Sequence, residues 1–360
     1  MNQPNKRLFV IILALIISIF ACAETTPTLL EPLPTVTDTI ESISTSDWIT
    51  IFFSDPDSPT AGSYRGGPDG DLVSAIDEAR FSVDAAIYHL NLWSIRDALI
   101  SAHERGVTVR VVTESDNLDE QEIQELIDAG ITVVSDRRES LMHNKFVVID
   151  SHEVWTGSMN FTVNGAYKND NNLLQIRSSR LAENYVAEFE EMFNDDFFGD
   201  YIVDNTPHPS LDIQGIRVDT SFSPDDGTAD EIIDLIQGAE ESIYFLAFSF
   251  TSDPIAAALI EKAEQGVTVS GIFEESQYRS NRGGEYENLL DAGLDVHLDG
   301  NSRNMHHKFF IIDEEIMITG SYNFSRSAEE RNDENTLIIY NAEVAAQFLA
   351  EFQRVFSKSQ

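Results

Sequence analysis

Two stretches of the chain, "MHNKFVVID" (142–150) and "MHHKFFIID" (305–313), set a histidine and a lysine one residue apart, with an aspartate five positions after the lysine. Each runs on, after six intervening residues, into Gly-Ser-x-Asn. The first set is His143, Lys145, Asp150, Gly157, Ser158 and Asn160; the second is His306, Lys308, Asp313, Gly320, Ser321 and Asn323. An imidazole is a nucleophile or a proton carrier near neutral pH. An ammonium group neutralises an oxyanion, and a carboxamide or hydroxyl can hydrogen-bond one. Side chains alternate along an extended strand, so the histidine and lysine share a face while Asn144 or His307 points away. Two such sets facing one another suit a phosphodiester. Lys145, Lys308, Asn160 and Asn323 would grip the non-bridging oxygens. One histidine would attack phosphorus and the other protonate the leaving oxygen. The second histidine would then activate water, or an alcohol, to release the phosphohistidine. This chemistry needs no metal and no other cofactor, because the lysines carry the positive charge.

The elements that position these groups also occur twice. "HERGVTVRVV" (103–112) matches "AEQGVTVSGI" (263–272), "LIDAGITVV" matches "LLDAGLDVH", and "TGSMNFT" matches "TGSYNFS". The offset that relates His306 to His143 also relates the last two of these pairs. Within each copy, helical spacing alternates with short apolar runs. "DLVSAIDEAR" and "SIRDALISAHERG" read as helices; "FSVDAAIYHL" and "VTVRVV" read as strands. Gly106 and Gly130 stand where a helix ends. "KFVVID" and "EVWTGS" are near-continuous apolar runs, as in strands covered on both faces. Each copy closes with an amphipathic helix, "RLAENYVAEFEEMF" or "AEVAAQFLAEFQRVF". The pattern predicts an α/β fold of two similar α/β/α sandwich domains about a pseudo-twofold axis, residues 47–205 and 216–360, with a linker at 206–215.

The twice-repeated spacing H-x-K-x4-D-x6-G-S-x-N resembles the signature of the phospholipase D superfamily, over roughly residues 48–358. The resemblance implies two α/β/α lobes sharing one active site, and a metal-independent reaction through a phosphohistidine. It implies His143 as the nucleophile and His306 as the acid. In relatives an acid downstream orients the catalytic imidazole. "RNDENTLII" carries Glu334 downstream of His306. At the same distance from His143 the first copy has Asn171, in "KNDNNLLQI", with Asp170 beside it. Asp150 and Asp313 are expected to hold turns. Ser158 and Ser321 support either the phosphate or the backbone. His89, His103, His152, His208 and His297 are expected to be structural or exposed. Arg279, Arg282 and Arg303 are either ordinary loop charges or a positive rim for an anionic substrate.

The remaining composition bounds the setting. With 62 acidic against 23 basic residues, the formal net charge is −39. That balance disfavours nucleic acid as a partner, since no Lys/Arg cluster is present to neutralise phosphates. Residues 1–22 ("MNQPNKRLFVIILALIISIFAC") read as a signal peptide with a lipobox-like end, and Cys22, the only cysteine, as a lipidation site. Residues 23–46, rich in Thr and Pro, read as a tether. The expectation is an exported, lipid-anchored enzyme on the outer face of a bacterial membrane, or else a secreted one. It would cleave phospholipids or other phosphodiesters, and a monomer suffices to complete its site. The alternatives are a nuclease of the same superfamily and a non-catalytic lipoprotein that serves as a binding module.

Overall fold

The structure, a computed structural model, describes residues 44–199, 203 and 205–359. The signal segment, Cys22 and the tether up to residue 43 lie outside the described residues.

The first copy folds as β1 (Ser44–Ser46), β2 (Ile49–Phe53), α1 (Asp69–Glu78), β3 (Ser82–Ile87), α2 (Trp93–Glu104), β4 (Thr108–Thr113), α3 (Gln121–Asp128) and β5 (Thr132–Ser135). It continues with β6 (Lys145–Ile149), β7 (Glu153–Gly157), α4 (Val163–Tyr167), β8 (Asn172–Arg177) and α5 (Ser179–Glu190). These strands form one sheet in the order β1-β2-β8-β7-β6-β3-β4-β5. The second copy comprises β9 (Ser210–Ile213), β10 (Ile216–Ser223), α6 (Thr228–Gly238), β11 (Ser242–Ala247), α7 (Asp253–Glu264), β12 (Thr268–Phe273), α8 (Glu275–Ser280), α9 (Tyr286–Asp291) and β13 (Asp295–Leu298). It ends with β14 (Lys308–Ile312), β15 (Ile316–Gly320), α10 (Arg326–Glu330), β16 (Glu334–Tyr340) and α11 (Ala342–Phe356). Its sheet, β13-β12-β11-β14-β15-β16-β10-β9, has the same topology. In each, three parallel strands joined through helices meet an antiparallel set.

Two expected boundaries move. Ser44–Ser46 pairs with β2, so the first sheet begins inside the expected tether. Part of the expected linker is β9, which pairs with β10. Their hairpin turns on Gln214 (φ 55°) and Gly215 (φ 88°), both left-handed. That matches the sense of the strand twist, and the strand is too short to show a period.

Each sheet has an outer apolar core. One holds Leu72, Leu99 and Ile123 from α1–α3; the other holds Ile232, Leu259 and Leu289 from α6, α7 and α9. A third core is shared. Tyr185 and Phe189 of α5 and Phe348 and Phe352 of α11 join Phe146, Leu246 and Phe309 from both sheets in one cluster. Full burial of each such side chain stabilises by roughly 1.5–3 kcal/mol. The apolar faces of the two closing helices therefore weld the copies together, and the starts of β6 and β14 are brought to one place.

Candidate active site

Each histidine lies two residues before the lysine that begins its strand, and each is pinned to the other copy. His143 N donates to Asp333 O (3.0 Å) and Asp333 N to Leu141 O (2.9 Å). His306 N donates to Asp170 O (2.8 Å) and Asp170 N to Asn304 O (3.0 Å). The next residue, the first of β16 or the one just before β8, then reaches the imidazole. His143 Nδ1 lies 2.7 Å from Glu334 Oε2, and His306 Nδ1 lies 2.8 Å from Asn171 Oδ1. The orienting groups are thus exchanged between copies. Asp170 does not substitute for the missing acid, because its carboxylate accepts from Arg354 (2.5 Å) and Asn301 (2.6 Å).

The exchange continues one residue on. Asn335 Nδ2 donates to Asn144 Oδ1 (2.8 Å), and Asn172 Nδ2 lies 3.2 Å from His307 Nδ1. Asn144 and His307 face away from the reactive imidazoles. Behind them they meet Glu188 (3.0 Å) and Glu351 (2.8 Å). Asn172 and Asn335 are site-building residues absent from the sequence reading, although "ND-x-N" in both copies carried the signal. Gly157 and Gly320 make the approach possible. A Cβ at Gly157 (φ 152°) would sit 2.5 Å from Asn172 O, and one at Gly320 (φ 156°) would sit 2.1 Å from Asn335 O.

Lys145 Nζ donates to His143 O (2.6 Å) and Lys308 Nζ to His306 O (2.9 Å). Both lysines are 1% exposed. Burial lowers the Lys145 ammonium to about 7 and, together with Lys145, takes Lys308 well below its ordinary value. Burial and both lysines hold His143 and His306 well below 6.5. Burial lifts the Glu334 carboxyl to about 8, against the pull of Lys145. The free site therefore presents neutral imidazoles to an incoming anion. Two aromatic walls went unread in the sequence. Tyr88 packs on His143 at 4.7 Å and Phe248 on His306 at 4.4 Å between centroids, and the two occupy matching positions just after β3 and β11.

Asn160 and Asn323 follow the ends of β7 and β15, and in both the carboxamide oxygen is buried without a hydrogen-bond partner. An unpartnered carboxamide oxygen suits a ligand group that donates a hydrogen bond, and the Nδ2 of the same side chain is the end that can donate to a phosphate oxygen. Ser158 and Ser321 are fully buried; their hydroxyls accept from Asn172 N and Asn335 N, both at 3.0 Å. They hold the backbone of β8 and β16.

Asp150 and Asp313 lie at the far ends of β6 and β14. Asp150 accepts from the amides of Arg80, Phe81 and Ser82, and Asp313 from those of Glu240, Glu241 and Ser242. They fasten the chain entering β3 and β11. His89 meets Glu120, His208 meets Glu183 and His297 meets Asp295. His152 meets Ser179, and His103 lies on α2. Arg279 pairs with Glu275 on α8, Arg282 is exposed, and Arg303 lines a cavity beside the His306 loop. Glu188, Glu191 and Asp225 bring carboxylate oxygens within 4.8 Å of one another behind Asn144, a spacing that could hold a cation.

A family model described as "Cardiolipin synthase, PLD-like domain" matches residues 72–193 and 232–356, one match per copy. The chain belongs to the phospholipase D superfamily. It is 33% identical over 163 residues to a "Phospholipase D" of Rickettsia bellii, an alignment covering 44% of this chain and 81% of that one. It is 30% identical over 138 residues to a "Mitochondrial cardiolipin hydrolase" of Mus musculus, covering 38% of this chain and 62% of that one. The crystal structure of a phosphatidylserine synthase from Haemophilus influenzae Rd KW20 shares the fold. It has a TM-score of 0.64 and 14% identity, with 81% of this chain and 84% of that one superposed. This superfamily member is a phosphodiesterase of two phospholipase D-like domains.

Proposed function

We propose that this phosphodiesterase hydrolyses phospholipid headgroup esters through a phosphohistidine on His143. The observation that carries the assignment is the exchanged pair His143–Glu334. Once ionised, Glu334 keeps the proton of His143 on Nδ1, leaves Nε2 free to attack, and stabilises the cation once Nε2 is bonded to phosphorus; burial puts that ionisation at about 8 in the free site. His306, held by a neutral amide, suits the acid. The bound diester offsets the two lysines, so His306 Nε2 carries a proton. Attack by His143 forms the N–P bond; the ester P–O bond breaks, and the leaving oxygen takes the proton from His306. Water, deprotonated by His306, then attacks phosphorus and breaks the N–P bond, releasing a phosphatidate. Lys145, Lys308, Asn160 and Asn323 hold the equatorial oxygens. Cys22 anchors the enzyme by lipid at a membrane surface, and the tether that follows gives the site reach to headgroups. Among the described residues no helix is long and apolar enough to cross a membrane.

The test assays the purified chain in detergent with phosphatidylcholine or phosphatidylglycerol and, separately, with single-stranded DNA. Headgroup release, lost in His143→Asn, supports the proposal. Cleavage of DNA alone replaces it with a nuclease. No turnover of any diester leaves a binding module. Radiolabelled fatty acid incorporated by the parent chain but not by Cys22→Ala supports the anchor, and equal labelling overturns it.

A further inference from the structure

Glu334 has two oxygens, and the proposed chemistry uses one of them. Oε2 meets His143, while Oε1 is buried without a hydrogen-bond partner among the described residues. A buried carboxylate is costly unless donors reach both oxygens. The charged and titratable groups that face it are His143, Lys145, Lys308, Tyr88 and Tyr322. Lys145 and Lys308, with the side chains of Ser321 and Asn332, favour its charge, yet none of them bonds Oε1. The Tyr322 hydroxyl is taken by Glu329 (2.9 Å). Two other hydroxyls on the same face remain. Ser223 Oγ and Thr336 Oγ1 are each buried without a partner among the described residues, in side chains 2% exposed. Ser223 stands directly opposite Glu334 across β10 and β16, and Thr336 is two residues further along β16. Residues so placed share a face of the sheet, with Cβ atoms about 5 Å and about 7 Å from that of Glu334.

The first copy shows the same face behind an amide. Ser54 stands opposite Asn171, and its hydroxyl is fully engaged: it donates to Asn169 O (2.7 Å) and accepts from Asn171 N (2.8 Å). Leu173 holds the place of Thr336. Phe52, which stacks on Trp155 at 5.5 Å, holds that of Ser221, the residue opposite Thr336. Asn171 needs no further donor, since its Nδ2 donates to Gly165 O (3.0 Å) and its Oδ1 meets His306 and Ser158. Behind the amide the face is apolar and its one hydroxyl is bonded to the chain. Behind the carboxylate it carries two hydroxyls that no internal acceptor takes.

The geometry points to Ser223 and Thr336 as positioning residues that act through Glu334, their hydroxyls turning to Oε1 when the carboxyl ionises. This rests on the proposed function, in which the ionised carboxyl orients His143. A hydroxyl hydrogen rotates to suit its acceptor, and a bond to the charged form favours that form. Ser223 and Thr336 thereby offset part of the burial that lifts this carboxyl to about 8. Neither hydroxyl reaches an imidazole, so their removal is read in the ionisation of Glu334.

The experiment follows the isotope-labelled carboxyl resonance of Glu334 by NMR in the full chain, assigned by its loss in Glu334→Gln. In parallel it records the pH profile of kcat/KM on phosphatidylglycerol in detergent micelles. Thr336→Val and Ser223→Ala are each expected to raise the Glu334 titration by about one pH unit, the scale of one hydrogen bond to a charged group. The rising limb of kcat/KM is expected to move with it, a loss of about tenfold at about pH 7. Thr336→Ser restores both, and Thr336→Val takes nothing further from the residual rate of Glu334→Gln. A melting curve for each variant checks the fold. A titration unmoved in either variant overturns the role given to that residue. A comparable loss when Thr336→Val is added to Glu334→Gln overturns action through Glu334. If the parent chain turns over no diester, the proposed function falls, and the titration still decides this inference.

Discussion

His143 Nδ1 lies 2.7 Å from Glu334 Oε2, whereas its pseudo-twofold mate His306 meets an amide, Asn171, at 2.8 Å. The two copies are thus not equivalent where the reaction needs them to differ. Glu334→Gln keeps the shape and loses the charge, and it permits the wrong tautomer of His143. The expected loss in kcat is about 10²–10⁴-fold, the range of a positioned proton-transfer group. Acid quenching with a diester labelled in its retained phosphoryl group is expected to leave label on His143. Label on His306 would reverse the roles.

Asn171→Asp gives His306 the carboxylate that it lacks. A carboxylate on Nδ1 raises the imidazole's affinity for a proton. The expected outcome is a kcat profile whose alkaline limb moves to higher pH, with a much smaller change in maximal rate than Glu334→Gln causes. Coincident profiles for variant and parent would show that Asn171 does not act through His306.

A pH dependence follows from the buried lysines. Binding an anionic diester needs Lys145 charged, and burial lowers its ammonium to about 7. That form is lost as pH rises, while Glu334, raised to about 8, gains the charge that orients His143, so kcat/KM is expected to peak between about 7 and 8 and to fall on either side. Once bound, the diester holds the proton on the lysine, and kcat is expected to keep its value to higher pH. A kcat/KM that climbs steadily from about pH 7 to 9 contradicts this.

The spacing of the two motifs made the histidines, lysines and buried strands legible, because a repeated pattern in one chain constrains both copies at once. The exchange of Glu334 and Asn171 was not legible. Each follows its own histidine at the same distance along the chain, and spacing says nothing about which copy's imidazole a side chain meets. The packing of α5 and α11 into one core decides that, since it turns the starts of β8 and β16 toward each other's histidine. Ser158 and Ser321 were ambiguous for a related reason. A hydroxyl can serve phosphate or backbone, and only the register of β7 with β8 shows Asn172 N within reach.

Asp150 and Asp313 belong to the motif by sequence and to the scaffold by position. The backbone amides around each carboxylate hold it below the ordinary range, in spite of burial. A lowered carboxyl adds stability that is present above its unfolded value and lost as pH falls through the folded one. Asp150→Asn and Asp313→Asn are each expected to cost about 1–2 kcal/mol at pH 7 and to leave kcat/KM within about twofold, the scatter of a neutral change. In urea melts the gap from the parent chain should close below about pH 4, where an exposed Asp is protonated as well. A large loss of activity at unchanged stability would return these aspartates to the chemistry.

The last prediction comes from the charge asymmetry behind the two motifs. Behind His307, Glu351 is matched by Arg354. Behind Asn144, Glu188 has Glu191 at the position equivalent to Arg354, and Asp225 lies close by. Burial, reinforced by neighbouring carboxylates, pushes Glu188 well up and Glu191 to about 7. Above the ordinary Glu value the unfolded chain ionises while the folded site keeps its proton, so folding loses stability as pH rises from about 4.5. The loss is complete once pH passes the folded value. Glu191→Gln removes one of these groups. The melting temperature of the variant should therefore exceed that of the parent by a few degrees at pH 8, of the order expected for about 1 kcal/mol in a chain this long. The difference should shrink toward about pH 4.5. A difference independent of pH would mean that Glu191 is ionised in the folded chain and that a cation already balances the cluster.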